Sequence, residues 1–304
     1  MTGPLLSVIV TIVDGGDVLR RLLDALMRQV DPPSLQILVP YDASIAAETE
    51  ATSRAYPTVQ FLPLGIITPT RPIHTAAGQH ELYDRRRAAG LHAATGDLVA
   101  ILEDRGVPRS DWARSVVRMH EQPFAVIGGA IQGARSGVVN WAFYVCDFGR
   151  YGLPFESGPA TWISDVNVSY KRHAIDRTRE LWKERFHEPV VHWALLEQGE
   201  TLYLSSEIVV EHQRPPVTLG ALIPERFHWG RLFGHIRSRH MRLPQRLAYA
   251  ALGPVLPPLL LVRHGRMQRR KGSLKRFLRA APAAAVLLTA WTTGEVWGYL
   301  TGRA

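Results

Sequence analysis

Residues 85–105 read RRRAAGLHAATGDLVAILEDR. Leu82 to Ala94 is a helical stretch that stops at Thr95-Gly96, where glycine can supply a left-handed cap. Asp97 to Leu102 is then a short apolar run of strand type, and it delivers Glu103, Asp104 and Arg105 to its carboxyl end. Ligands of open α/β sheets bind beyond the carboxyl ends of strands, so chemistry is expected at these three residues.

The segments before this one repeat the same alternation. Leu5 to Val13 is a continuous β-branched run, as in a parallel strand buried on both faces, and Gly15 and Gly16 break it. Val18 to Val30 spaces Leu19, Leu22, Leu23, Leu26 and Met27 along one helical face. Gln36 to Val39 and Val59 to Leu62 read as further strands flanking a helix over Ala46 to Tyr56. Strand and helix alternating at short intervals predict an α/β fold with a Rossmann-like, mostly parallel sheet flanked by helices. Residues 64–80, rich in Pro, Gly and Thr, read as a loop; Asp111 to His120 reads as a helix and Ala125 to Ile131 as a strand.

Composition narrows the class. The 304 residues carry a net charge of +9, but the dense basic run lies at Arg263 to Arg279, between apolar segments at Leu247 to Val262 and Ala280 to Leu300. The first apolar segment is short and proline-broken for an ordinary span, and the second contains Glu295, which is costly at bilayer depth. A C-terminal α-helical hairpin in one leaflet, with the basic stretch 263–279 as its loop on anionic headgroups, fits this order better than nucleic-acid binding. Two buried helices packed on the soluble domain are the alternative. The expected division is a catalytic domain over 1–240 and a membrane-associated helical region over 241–304. Cys146 is the single cysteine, which excludes an intrachain disulfide and suits a reducing compartment. The N-terminus has neither a basic n-region nor a cleavage motif and reads as a buried strand, which places the catalytic part at the cytoplasmic face of the membrane.

Five segments in order carry a resemblance: SVIVTIVDGG at 7–16, PYDAS at 40–44, the 85–105 segment, SDVNVSYKR at 164–172 and FHEPVVHWALLEQG at 186–199. Over roughly residues 5–215 the chain resembles the family 2 glycosyltransferases, which have the glycosyltransferase A fold. Its C-terminal hairpin resembles membrane-associated members. The resemblance implies transfer of a sugar from a nucleotide-diphosphate donor to a lipid-linked or polysaccharide acceptor, with inversion.

By that resemblance, Thr11 and Asp14 border the nucleoside, and Asp42 accepts from the base, as an acceptor-only carboxylate can; a turn role for Asp42 is the alternative. Arg87 faces the donor phosphates, or is a solvated helix-face arginine. Glu103, Asp104 and Arg105 stand where the family has an Asp-x-Asp motif that holds a divalent cation, Mg2+ or Mn2+, against the diphosphate. Arg105 replaces the last acid, so either Glu103 and Asp104 keep the metal or Arg105 supplies the positive charge itself. Asp165 and Asn167 are implied contacts to sugar hydroxyls, and Trp162 can stack on a sugar face or serve as core. Glu188 aligns with the catalytic base, although the family's first acid is here His187, itself a candidate base. His212 is a candidate metal or phosphate ligand. Arg231 is a candidate for the diphosphate or, with Trp229, for an interfacial anchor.

Two other readings remain. A membrane-anchored nucleotide-sugar-binding partner of another enzyme, weakened in catalysis, is suggested by Arg105 and by the acid lost at 187. A nucleotidyltransferase is disfavoured, because Asp14-Gly15-Gly16-Asp17 is acidic where a phosphate loop would be basic.

Overall fold

Leu6–Thr11 (β1) is buried along its whole length, as its unbroken apolar run requires of an interior strand. In the computed structural model, which describes residues 3–133, 137–239 and 241–303, β1 is followed by Gly16–Met27 (α1), Leu35–Tyr41 (β2), Ala46–Ser53 (α2) and Gln60–Pro63 (β3). Ala76–Ala93 (α3), Leu98–Glu103 (β4), Gly106–Pro108 (β5), Trp112–His120 (α4) and Val126–Gly133 (β6) come next. Then follow Val138–Phe148 (α5), Gly158–Ala160 (β7), Asn167–Lys171 (β8), Arg172–Arg177 (α6), Arg179–Trp182 (α7), Glu188–Glu197 (α8) and Leu202–His212 (β9). The chain ends in Leu219–Ser238 (α9), Leu243–Leu252 (α10), Leu256–Arg270 (α11) and Leu274–Thr301 (α12), with a single 3-10 turn, Gly253–Val255, joining α10 to α11.

By internal contacts the chain forms two compact units. The first comprises Met1–Thr68, Glu81–Gln132 and Leu153–Gln213, and holds the sheet in the order β3-β2-β1-β4-β8-β6-β9-β5, with β7 also on β9. β3, β2, β1 and β4 are parallel; β8 then runs antiparallel to both β4 and β6. The α/β reading therefore holds, but the sheet is parallel only in its N-terminal half. The inserted strand is β8, whose polar sequence NVSYK lacks the continuous apolar signal that marks β1 and β4. Its inner face still joins the core, where Val168 and Tyr170 pack with Ile9, Ile101, Trp182 and Phe186. Gly15 and Gly16 both take positive φ (72° and 49°), which only glycine adopts at low cost, so the chain can turn sharply off β1 into α1.

The second unit, Pro69–His80, Gly133–Gly152 and Arg214–Ala304, is helical, and its core joins Trp141, Phe143 and Tyr144 of α5 to Leu222 of α9 and Phe277, Ala284 and Leu287 of α12. Residues 214–240, expected with the catalytic domain, group here instead. α9 and α12 interlock through two pairs of small residues. A side chain at Gly230 or Gly234 would overlap backbone of Trp291 or Glu295, and one at Gly294 or Gly298 would overlap backbone of Phe227 or Arg231.

Three C-terminal expectations are corrected. Residues 263–279 are not a loop: α11 and α12 run through them and leave only 271–273 as a turn. Lys271 there donates to the carbonyls of Gly149 (3.0 Å) and Arg150 (3.2 Å), and the Arg276 guanidinium lies 3.6 Å from the centre of the Trp141 ring, so part of the basic run is structural. α12 buries one face on α9 and α5, with Glu295 buried and accepting from Tyr299 at 2.5 Å. The prolines do not break the first apolar segment, because Pro254 falls in the 3-10 turn and Pro257 and Pro258 in the first turn of α11, where a missing N–H costs little. The helical run Leu243–Arg270 is long and apolar enough to cross a membrane by length and composition, and only 17% of its apolar window is buried. The helix expected from Leu82 begins earlier, at Ala76, inside the expected loop.

Candidate active site

Parallel pairing of β1 with β4 sets Thr11 directly across from Glu103 at the carboxyl edge of the sheet. Arg87, on α3, lies buried against both: its Nε donates to Thr11 Oγ1 (3.1 Å) and an Nη to Glu103 Oε1 (3.1 Å). The same guanidinium meets Asp165 at 2.7 Å and Asp84, one helical turn earlier on α3, at 3.6 Å. Burial alone would lower its pKa. The fields of Asp165, Glu103, Asp84 and Glu188 reverse that and raise it. Several carboxylates thus converge on one buried cation. Asp165 reaches this point because it lies just before β8, whose Asn167 is registered against Leu102 of β4.

The acids feel the crowding. Burial, and next the Asp165 charge, push the Glu103 carboxyl up, while Arg87 and Arg105 pull the other way. Burial pushes Asp104 up to about 6, against three opposing hydrogen bonds. Those bonds run to one oxygen: Asp104 Oδ2 accepts the N–H groups of Val13, Asp14 and Gly15 at 3.1, 3.0 and 2.8 Å. The glycine turn after β1 therefore wraps an internal carboxylate, and these N–H groups are not offered to a phosphate. Asp104 Oδ1 is buried with no hydrogen-bond partner among the described residues. Arg105 forms a two-pronged pair with Asp14, its Nε 2.7 Å from Oδ2 and an Nη on Oδ1, which ties the end of β4 to the end of β1.

Asp42, at the end of β2, is buried. It accepts from the Ser44 N–H at 2.8 Å in a turn and from Arg86 Nε at 2.7 Å, and Arg86 also donates to the Ile12 carbonyl at 3.0 Å. Burial would raise its pKa, but the Ser44 bonds and Arg86 outweigh this and hold it low. The turn role weighed from the sequence is present, and Arg86 is a partner that sequence reasoning passed over as one of three adjacent arginines.

Glu188 opens α8, where the helix N-terminus favours a negative charge. Its Oε1 is 3.4 Å from His192 Nδ1, four residues on, and His192 Nε2 is 2.7 Å from the Tyr170 hydroxyl. Burial raises the Glu188 carboxyl; the His192 hydrogen bond opposes this and the Asp165 charge adds to it. His187 turns to another acid, with Nδ1 3.7 Å from Asp84 Oδ2. Trp162, partly exposed, meets Trp193 edge-to-face at 6.1 Å between ring centres.

Two expected contacts are assigned elsewhere. Asn167 is not presented to a sugar. Its Oδ1 accepts from Trp112 Nε1 (3.0 Å) and its Nδ2 donates to the carbonyls of Ala130 and Ile208 (both 3.1 Å), so it clamps the sheet. Arg231 is in the second unit, where its Nε donates to the Arg303 carbonyl at 3.3 Å. Buried His212 lies opposite Gly106 in the β5–β9 ladder, one position past Arg105. Asp84, Arg86, Tyr170, His192 and Trp193 were missed. The i, i+3 spacing of Asp84 to Arg87 and the i, i+4 spacing of Glu188 to His192 were signals that could have found two of them.

The strand ends thus gather carboxylates around a basic hub, with an acid at the start of a following helix. The model of glycosyl transferase family 2 matches residues 7–176, and the chain belongs to that family. Among solved structures it is similar to the mannosyltransferase PcManGT from Pyrobaculum calidifontis in complex with GDP-Man and Mn2+, at 13% identity and TM-score 0.51, covering 93% of this chain and 87% of that one. It is similar also to S. aureus TarS 1–349 in complex with UDP-GlcNAc, at 13% identity and TM-score 0.51, covering 98% and 92%. These likenesses concern the fold. No curated protein matches the chain.

The Asp42–Arg86 pair sets a stability prediction. A carboxyl held low by folding contributes stability above its unfolded value, near 4, and loses that contribution as pH falls through the lower folded value. Arg86→Met should therefore cost about 3 kcal/mol at pH 7 by urea unfolding, since it strands a buried charge. The deficit should shrink once the pH drops below about 4. An equal deficit at pH 7 and pH 3 would contradict this assignment.

Proposed function

We propose that the chain transfers a sugar, with inversion, from a nucleoside-diphosphate donor to a lipid-linked or glycan acceptor at the cytoplasmic face of the membrane. The observation that carries the reading is the meeting of Glu103, Asp165 and Glu188 around Arg87 at the strand ends. Inverting transfer needs a carboxylate to take the acceptor proton and a positive field to receive the leaving diphosphate. Glu188 supplies the first. Burial and the Asp165 charge raise its pKa, which makes its ionised form a stronger proton acceptor. The acceptor O–H proton passes to Glu188 as the acceptor oxygen bonds to the anomeric carbon, and the electron pair of the broken C–O bond leaves with the diphosphate.

The donor set fits a divalent cation. Glu103 is an acid at the strand end, and the buried Asp104 Oδ1 lacks a hydrogen-bond partner among the described residues, as a metal ligand does before its ion binds. Glu103 and Asp104 would hold the ion, with His212 a further candidate, and Mg2+ or Mn2+ bound there would neutralise charge on the departing diphosphate. The PcManGT complex contains Mn2+, which supports the choice of ion. Arg87 balances the acids, and Arg105 with Asp14 closes the strand ends.

One observation favours the weakened-partner reading: Arg105, standing where the family has an acid, spends its charge on Asp14. Turnover separates the two. With the full chain and Mn2+, hydrolysis of UDP-GlcNAc or GDP-mannose should be measurable, and Glu188→Gln should reduce it by about 10^2–10^4. Donor binding by calorimetry without turnover, unchanged by Glu188→Gln, would support the binding partner instead.

Membrane attachment is proposed from the exposed apolar residues Leu243, Leu247, Leu252, Val255, Leu259 and Val262, followed by exposed Arg263, Arg266, Arg269 and Arg270. An apolar helical face beside a cationic one suits a headgroup–acyl boundary. Because α12 belongs to the core of its unit, deleting the C-terminus would disturb folding, and surface changes are the cleaner test. Leu252→Glu with Leu259→Glu should abolish co-sedimentation with phosphatidylglycerol vesicles and leave melting unchanged. Equal sedimentation of variant and wild type would remove the proposal.

A further inference from the structure

We infer that His192, held in place by Tyr170, is a positioning residue for Glu188: it tethers one carboxylate oxygen and leaves the other to meet the acceptor hydroxyl. The inference deepens the proposed reaction and rests on Glu188 being its base. The chain of contacts is short. Glu188 Oε1 lies 3.4 Å from His192 Nδ1, and His192 Nε2 lies 2.7 Å from the Tyr170 hydroxyl. Tyr170 and His192 are both buried, on β8 and α8, and their rings pack at 5.8 Å between centres. Phe186 closes over Tyr170 edge-on at 6.2 Å. Neither polar side chain has a role in the reaction as described above, yet both are desolvated beside the reacting acid.

An acceptor-only carboxylate sets the direction of the tether. Burial, and then the charges of Glu188 and Asp165, push the Tyr170 phenol far up, so it keeps its proton. With neutral imidazole, an ionised Glu188, which can only accept, favours the ring proton on Nδ1, and the phenol then donates to Nε2. With protonated imidazole, both nitrogens donate, and Nδ1 again faces Glu188 with a proton. In either charge state an N–H at Nδ1 is set 3.4 Å from Oε1. The charged groups around Glu188 are Asp165, which disfavours its ionised form, and Arg87 and His192, which favour it. Arg87 is already engaged by Glu103, Asp165 and Asp84, so His192 is the donor that Glu188 does not share with the other acids. A carboxylate tethered at one oxygen loses rotational freedom about its last torsion, and pre-aimed bases react faster for that reason.

Substitutions at 192 divide the two halves of the contact. Asn keeps a donor near the Nδ1 position, Gln keeps one near Nε2, and Leu keeps only the volume. The full-length chain with Mn2+ is followed for hydrolysis of UDP-GlcNAc and GDP-mannose from pH 5 to pH 9. His192→Leu should move the acidic limb of kcat up by about one pH unit and lower the plateau about tenfold to a hundredfold. His192→Asn should restore the limb, and His192→Gln should not. A purely structural histidine would lower melting temperature in all three without moving the limb. A second readout needs no turnover: in 15N-histidine-labelled protein, with His192 assigned by its absence from His192→Asn, the ring should carry its proton on Nδ1 and lose that preference in Tyr170→Phe. A proton on Nε2 alone at pH 7 overturns the inference. So does an unmoved limb in His192→Leu when Glu188→Gln is inactive, which leaves the base assignment standing. Wild-type turnover by Glu188→Gln would instead remove the base assignment and this inference with it.

Discussion

The buried guanidinium of Arg87 is the interaction on which the site depends. Unpaired carboxylates cannot share a low-dielectric pocket, since each raises the pKa of the next and the group neutralises. Arg87 contacts Glu103, Asp165 and Asp84 directly, and its field reaches Glu188. It thereby joins three parts of the first unit, α3, the end of β4 and the segment before β8. Its hydrogen bond to Thr11 adds the end of β1. The insertion of antiparallel β8 beside β4 serves the same end, because it brings Asp165 to the edge where Glu103 emerges.

The acidic motif at 103–105 is divided between tasks. Asp104 spends one oxygen on three backbone N–H groups and so shapes the turn after β1. Arg105 locks the same turn from outside through Asp14. The residue that departs from the family pattern is thus part of a cross-strand tie, and this tie gives the substitution a structural sense. Asp42 and Arg86 repeat the arrangement one strand over, where a buried acid at a strand end is held by an arginine of α3.

Much of the fold was legible because β1, β2 and β4 are interior strands whose centres are continuous apolar runs. Strand β8 was not, since its polar residues Asn167 and Ser169 are buried by specific hydrogen bonds that no periodicity announces. At the site, residue types were legible and partners were not. Asp42, Glu103 and Asp104 were read as acids at strand ends, which is where they lie. That Arg87 would face inward to acids, that Asn167 would clamp β6 and β9, and that Arg231 would serve another unit depend on tertiary placement. Likewise the basic run 263–279 reads as a solvated loop by charge alone, but Lys271 is consumed by carbonyls and Arg276 by an indole. Helix propensity carried the stretch through, and long basic side chains keep their heads in water from a helix as easily as from a loop.

We propose that the strand-end acids around Arg87 receive the donor diphosphate and its cation. The most direct test is anomalous diffraction from crystals of the full chain grown with MnCl2 and UDP or GDP. A single manganese peak is expected at the carboxylates of Glu103 and Asp104, with the diphosphate on it. A nucleotide bound with its diphosphate away from these carboxylates would contradict the proposal.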